Sequence, residues 1–325
     1  MMLLCQRVVV TVACMAAALV LSGCTNGTKQ ARELAEARWE HARADVKVKL
    51  ASDELVAGNV DSAAKAATEA QRLAPDHPDL PVLQARIWLA KGNVSAAEAL
   101  LAECDRKGPP RAEVAYLLGV VRQQQQRWEA ALGAFEKAVE LEPTQVANVV
   151  AVVQVLLQLG ERQRALGFLA SREDRFGWTG AYHAAVAECY EQLGRWQAAA
   201  AEWRLVANGP EVEPDLRERL AVALFRAGMY EESIEVIEPL LASIEPQRSN
   251  ALRLMLADAC SSLGRTVAAQ EAAQAVTEES PAYVAAQGLL ARACAQRGDF
   301  EAALVAVDRA LSKDSHDVRT MELGA

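Results

Sequence analysis

An all-α solenoid, built from stacked helical hairpins, is the fold that this chain of 325 residues predicts. Three observations carry the expectation. Hairpin starts recur at Ala44, Pro78, Ala112, Val146, Gly180, Pro214, Asn250 and Val284, 34 residues apart at every step but one, where the spacing is 36. A turn column in phase with them reads Gly58, Gly92, Gln126, Gly160, Gly194, Gly228, Gly264 and Gly298. Small residues keep the same phase: Ala51, Ala85, Gly119, Val153, Ala187, Ala221, Ala257 and Ala291 on the first helices, and Ala63, Ala97, Ala131, Ala165, Ala199, Ser233, Ala269 and Ala303 on the second. One hairpin cannot bury its own apolar face, so a sustained period of this length implies stacked neighbours.

The elements follow in chain order. Residues 1–23 place one cation, Arg7, before an uncharged apolar run from Val8 to Leu21, the layout of a secretory signal. The run is short for a bilayer span of about 20 residues. Leu21-Ser22-Gly23-Cys24 resembles a bacterial lipobox, which implies cleavage before Cys24 and lipid attachment to its sulfur. Thr25, where an aspartate would signal retention, is compatible with transfer to an outer membrane. Residues 24–43 are expected to hold the lipidated cysteine, a short tether and a polar, capping front half of a long first helix. The second hairpin is the weakest match, with Pro81 and Gln84 at usually apolar positions.

The third hairpin is the clearest. Val114, Leu117, Leu118 and Val121 mark one helix, and Ala131, Leu132, Phe135, Ala138, Val139 and Leu141 the next. Gly119 and Ala131 are expected to face each other across it. A large apolar column runs through Leu101, Phe135, Leu169, Trp203, Ile237 and Val307. Pro75, Pro109, Pro143 and Pro281 are expected to end second helices. Pro239 falls inside a second helix just before the two-residue insertion, where a kink and a looser joint over 239–249 are expected. Residues 318–325 read as a tail.

Leu118-Gly119, Ala131, Phe135, Ala138 and Pro143 supply most of the pattern Leu-Gly…Ala-x3-Phe…Pro, and residues 44–317 thereby resemble a tetratricopeptide repeat (TPR) array. Ala115 and Arg122 stand where that pattern commonly has Trp and Tyr. The resemblance implies a right-handed superhelix whose first helices line a concave groove for a protein or peptide.

Composition narrows the function. Hydrophobic residues make up 52% of the chain and aromatics 5%, which suits helix-on-helix packing. The net charge is −9 and no basic stripe is present, which argues against a nucleic-acid partner. Of seven cysteines, Cys104, Cys189, Cys260 and Cys294 fall on predicted helices. Cys260 and Cys294 share a column, and their reading as small buried hydrophobes is preferred to a disulfide. His41, His77, His183 and His316 are scattered, so no metal or cofactor is expected. No motif for nucleotide, zinc-protease or serine-hydrolase chemistry occurs, and the repeats use nearly all of the chain, so no enzyme is expected. Trp128, Trp196, Tyr230 and Phe300 share a column just after the turn and read as packing wedges, with Trp88 and Tyr190 in another packing column.

The register places a groove on the first helices. Its third hairpin would contribute Tyr116, Gln123 and Gln124, and its fourth Gln154, Leu157 and Gln158. The fifth and sixth would add Glu188, Glu191, Gln192, Glu218 and Phe225. A side-chain amide both donates and accepts, so glutamines can pair with an extended backbone, and the glutamates favour a neutral or basic segment. The expected function is a membrane-anchored scaffold of the cell envelope, facing the periplasm, in assembly of an envelope, pilus or export complex. A cytosolic TPR co-chaperone is the alternative, but of the inward positions Val48, Ser52, Val82, Arg86, Tyr116, Val120, Val150 and Gln154 only Arg86 suits an anionic peptide terminus. An enzyme with its site inside the superhelix is a further, weaker alternative.

Overall fold

The computed structural model describes residue 29 and residues 31–208, 212–244 and 249–313, and contacts divide the chain into two units after Glu142. The signal segment, Cys24, His316 and the tail lie outside the described residues, which contain no strand. No helix among the described residues is long and apolar enough to cross a membrane.

The first unit pairs α1 (residues 31–56) with α2 (Val60–Leu73), α3 (Leu80–Ala90) with α4 (Val94–Lys107), and α5 (Ala112–Gln124) with α6 (Trp128–Leu141). The second pairs α7 (Val146–Gln158) with α8 (Arg162–Ala170), followed by a single turn, α9 (Glu173–Phe176). It continues with α10 (Gly180–Gln192) and α11 (Trp196–Val206), α12 (Pro214–Arg226) and α13 (Tyr230–Ser243), α14 (Asn250–Ser262) and α15 (Thr266–Gln274), and α16 (Tyr283–Gln296) and α17 (Phe300–Lys313).

Small residues let the paired helices approach, and in six of the eight hairpins one large side chain fills the gap beside them. The alanines at 51, 63, 85, 97, 131, 165, 187, 199, 221, 257 and 269 are fully buried, and Leu101, Phe135, Leu169, Trp203, Ile237 and Val307 are all buried beside them. Each such large side chain contributes about 1.5–3 kcal/mol on leaving water. At Gly119 the approach is tightest: an added Cβ would lie 2.5 Å from the Phe135 ring. Phe135, rather than Ala131, is therefore the neighbour that requires glycine there, and Tyr116 meets the same ring edge-on at 5.3 Å between centroids.

The turns share one geometry. The residue in the turn column has positive φ in every hairpin, from +69° to +81° at the seven glycines and +59° at Gln126. The next amide reaches back to a carbonyl five residues earlier, as in Asn59 N–H to Glu54 (2.8 Å), Arg127 to Arg122 (2.8 Å) and Arg195 to Tyr190 (2.9 Å). This left-handed cap satisfies carbonyls that the helix end would otherwise strand. A Cβ at the turn glycines would meet nothing within 4 Å, so the demand is conformational and not spatial. Gln126 meets it with a side chain, at a cost.

Three details depart from expectation. Pro281 does not end a second helix: α15 stops at Gln274, and Pro281 stands two residues before α16. The second helix of the fourth hairpin is also short, broken at Ser171 and Arg172, whose side chains bond to the Phe168 carbonyl. Pro239, by contrast, lies inside the second helix α13 as its place in the sequence implied, and the helix continues four residues past it. Phe300 is 67% exposed and Trp88 is exposed as well, so neither is the buried wedge that its column suggested, whereas Tyr230 packs on Phe225 at 5.5 Å. Pro81, the anomaly of the second hairpin, falls in the first turn of α3, where a missing N–H leaves no bond unmade.

Two substitutions probe these packing and turn constraints. Gln126→Gly should stabilise the first unit by up to about 1 kcal/mol by relieving the left-handed strain. Gly119→Ala should destabilise it by about 1–3 kcal/mol, because a buried ring must move to admit one methyl group. Urea unfolding followed by circular dichroism reads both.

Candidate peptide-binding surface

The groove residues named from sequence fall in both units. In the first, Tyr116 is half-buried against Phe135, Gln123 is half-buried and Gln124 is exposed near the end of α5. The next glutamine along the chain is committed to the fold. The Gln125 amide donates to Glu98 at 2.8 Å, and Arg127 donates to the same carboxylate at 2.8 Å.

In the second unit α7 packs beside α10, and α14 beside both α12 and α16, so first helices lie next to one another. Gln154 and Gln158 are exposed on α7, with Leu157 half-buried between them. On α10, Gln192 is exposed, while Glu188 and Glu191 are half-buried and tied to α12. Arg219 extends from α12, with Nη1 3.2 Å from Glu191 Oε2 and Nη2 3.5 Å from Glu188 Oε1. The indole N–H of buried Trp203 donates to Glu191 Oε1 at 2.6 Å, and the Arg219 guanidinium sits 5.5 Å from the Trp203 ring centre. Glu191 is thus held from two sides by a built network.

Beside this network an open pocket of about 360 Å³ is lined by Glu191, Trp196, Asp215, Glu218, Arg219 and Val222. Three carboxylates face one guanidinium, so the lining favours a cation. Trp196 offers an aromatic ring, with the Arg226 guanidinium at the end of α12 lying 6.0 Å from its centre. Burial raises the Glu188 carboxyl above the usual range, with Arg219 lowering it and Glu191 raising it by smaller amounts. Such an arrangement can hold an ammonium or guanidinium group and order a peptide backbone, but it holds no activated nucleophile. Burial pushes the nearby Cys189 thiol up to about 12, and the thiols of Cys104, Cys260 and Cys294 upward as well. All four are free thiols, so Cys260 and Cys294 are two unbridged, buried side chains.

Sequence reasoning named Glu188, Glu191 and Glu218 but missed Arg219, Trp196 and Asp215. The signal for Arg219 was present as a cation 28 and 31 residues after two glutamates, close to one repeat length. Phe225, the last residue named, is half-buried and committed to Tyr230.

Known proteins share this architecture. Three family models, each described as tetratricopeptide repeat, match residues 55–120 and 261–320, residues 112–145, and residues 187–243. No curated protein matches the chain. Among solved structures, the C-terminal part of a TPR repeat-containing protein from Cytophaga hutchinsonii superposes with a TM-score of 0.62 at 14% identity, over 74% of this chain and 98% of that one. A tetratricopeptide repeat protein from Parabacteroides merdae gives 0.51 at 18% identity, over 76% and 97%. YrrB, described as a TPR protein with an unusual peptide-binding site, gives 0.52 at 17% identity, over 58% and 96%. At these identities the likeness is one of fold.

The network predicts a pH signature. Because burial lifts the Glu188 pKa in the folded state, its ionised form weakens the fold as pH rises through and above the ordinary carboxylate range, and Arg219 offsets that loss. Arg219→Ala should therefore lower the melting temperature more at pH 7 than at pH 4, where Glu188 is protonated. Equal losses at both values would show that Arg219 acts through packing on Trp203 alone.

Proposed function

The chain belongs to the tetratricopeptide-repeat family, and from that premise we propose that it is a non-catalytic scaffold for protein partners, tethered to a cell-envelope membrane through a lipidated Cys24. The observation that carries the binding reading is the pocket beside the Glu188–Glu191–Arg219–Trp203 network. Its carboxylates and its tryptophan suit a lysine or arginine side chain of an extended segment, while the exposed Gln154 and Gln158 of α7 and Gln192 of α10 suit the backbone. That YrrB is described as peptide-binding lends the reading support by analogy of fold. The tether rests on the sequence Leu21-Ser22-Gly23-Cys24 after an apolar run, and it would place the repeats in the periplasm, at the inner or outer membrane. Assembly of an envelope, pilus or export complex is the class of work that such a scaffold performs.

The binding reading is tested with a photo-cross-linking amino acid at Val222 in intact envelopes. Glu191→Gln combined with Glu218→Gln should lower cross-linked partner about tenfold, equivalent to roughly 1.4 kcal/mol. Glu231→Gln with Glu235→Gln on the exposed side of α13 should leave it unchanged. The reverse pattern would move the working surface to the second helices.

The tether has its own test. Cys24→Ala should abolish incorporation of labelled fatty acid and move the chain out of the membrane fraction or block its processing. One acyl chain binds membranes only marginally, so firm anchoring requires several chains on that residue. Mass spectrometry finding an unmodified mature N-terminus elsewhere would overturn the assignment.

A further inference from the structure

The front of α1 carries an apolar seam that no other described residue covers. Its inward face, Ala44, Val48, Ala51 and Leu55, packs on α2. At about 100° per residue the opposite side carries Ala35, Trp39, Ala42 and Val46, with Leu50 at its edge. All of these are exposed, Trp39 by 66% and Val46 by 67%. Their spacing of four, three and four is the alternation of a coiled-coil seam, with Trp39 and Val46 at one core position and Ala35 and Ala42 at the other. The flanks are charged: Glu36 and Arg43 on one side, Arg38 and Asp45 on the other.

We infer that this seam is a self-association surface, on which α1 of two copies pair antiparallel about a twofold axis. In that orientation Trp39 lies over the partner's Ala42 and Ala35 over the partner's Val46, so large residues meet small ones in each layer. Like flanks then face each other, which sets Glu36 against the partner's Arg43 and Arg38 against the partner's Asp45. The twofold doubles each into four attractive pairs. A parallel pairing would instead bring Trp39 onto the partner's Trp39 and Arg38 against the partner's Arg43, a bulk mismatch with a like-charge clash.

The charges that select one orientation also argue against a lipid surface as the occupant. Residues 32–49 hold five cations (Arg32, Arg38, Arg43, Lys47, Lys49) and four carboxylates (Glu33, Glu36, Glu40, Asp45), without the basic excess that anionic lipid selects. Existing contacts leave the geometry available. Glu36 makes an exposed pair with Arg32 at 2.9 Å, and Asp45 accepts from the His77 ring through Oδ1 at 2.8 Å.

The test is sedimentation velocity of the full chain in a nonionic detergent at micromolar concentration. The wild-type chain should sediment at the mass of two chains. Arg38→Glu with Arg43→Glu makes every flank contact repulsive in both orientations and should halve that mass. Adding Glu36→Arg and Asp45→Asn restores attraction only for the antiparallel pair, keeps an acceptor for His77, and should return the two-chain mass. A wild-type chain at one-chain mass overturns the pairing, as does a double variant that stays dimeric. A folded quadruple variant that remains monomeric overturns the antiparallel register.

Discussion

The close approach of two helices inside each hairpin is the constraint on which everything else rests. Small residues on both helices bring the backbones together, and in six of the eight hairpins a single large side chain then fills the space beside them. Gly119 against Phe135 is the limiting case, because no Cβ fits there. The same arrangement uses Trp203 in the fifth hairpin and Ile237 in the sixth. Trp203 packs with Leu220, Ala223 and Leu224 of the following hairpin, and Ile237 with Leu252, so stability there spreads through nearest-neighbour contacts rather than through one central core.

This constraint is also why so much of the fold was legible. A 34-residue period forces the turn column into register, and glycine marks it because φ there is positive. Gln126 shows that geometry and not composition defines the column: it adopts +59° in the place of a glycine. The large column was equally readable, since every member from Leu101 to Val307 is buried. What periodicity could not show is which polar side chains find one another. Arg219 reaches Glu188 and Glu191 across consecutive hairpins, and Trp203 joins them from the second helix. A repeat template averages such positions away, because they differ from hairpin to hairpin. Helix breaks at Ser171 and after Gln274 escaped for a related reason: no proline or glycine marks either one.

The polar network shows how an interchangeable scaffold acquires a particular surface. Glu191 accepts from an indole on its own hairpin and a guanidinium on the next, so its orientation is fixed before any ligand arrives. Fixing it costs little extra entropy, since Trp203 is already immobile in the core. The carboxylates at Asp215 and Glu218 then add a negative bias to a pocket whose floor is rigid. Preorganised groups of this kind lose less freedom on binding, and so convert more of their interaction into affinity.

A solenoid also makes the meaning of a residue depend on its neighbours. Ile234 on α13 is buried because Ala259 and Cys260 of α14 cover it. Leu304 holds the equivalent position on α17, with no further hairpin among the described residues, and is 54% exposed. The two differ little in chemistry; their environments differ through what stacks next. The apolar seam of α1 at the other end departs from this logic. Trp39 and Ala42 precede the 34-residue register, so the repeat pattern does not require them to be apolar. An exposed Leu304 is what the repeat leaves where no further described hairpin stacks on it. An exposed Trp39, flanked by charges of alternating sign, is an addition to the repeat, and its spacing matches a partner helix.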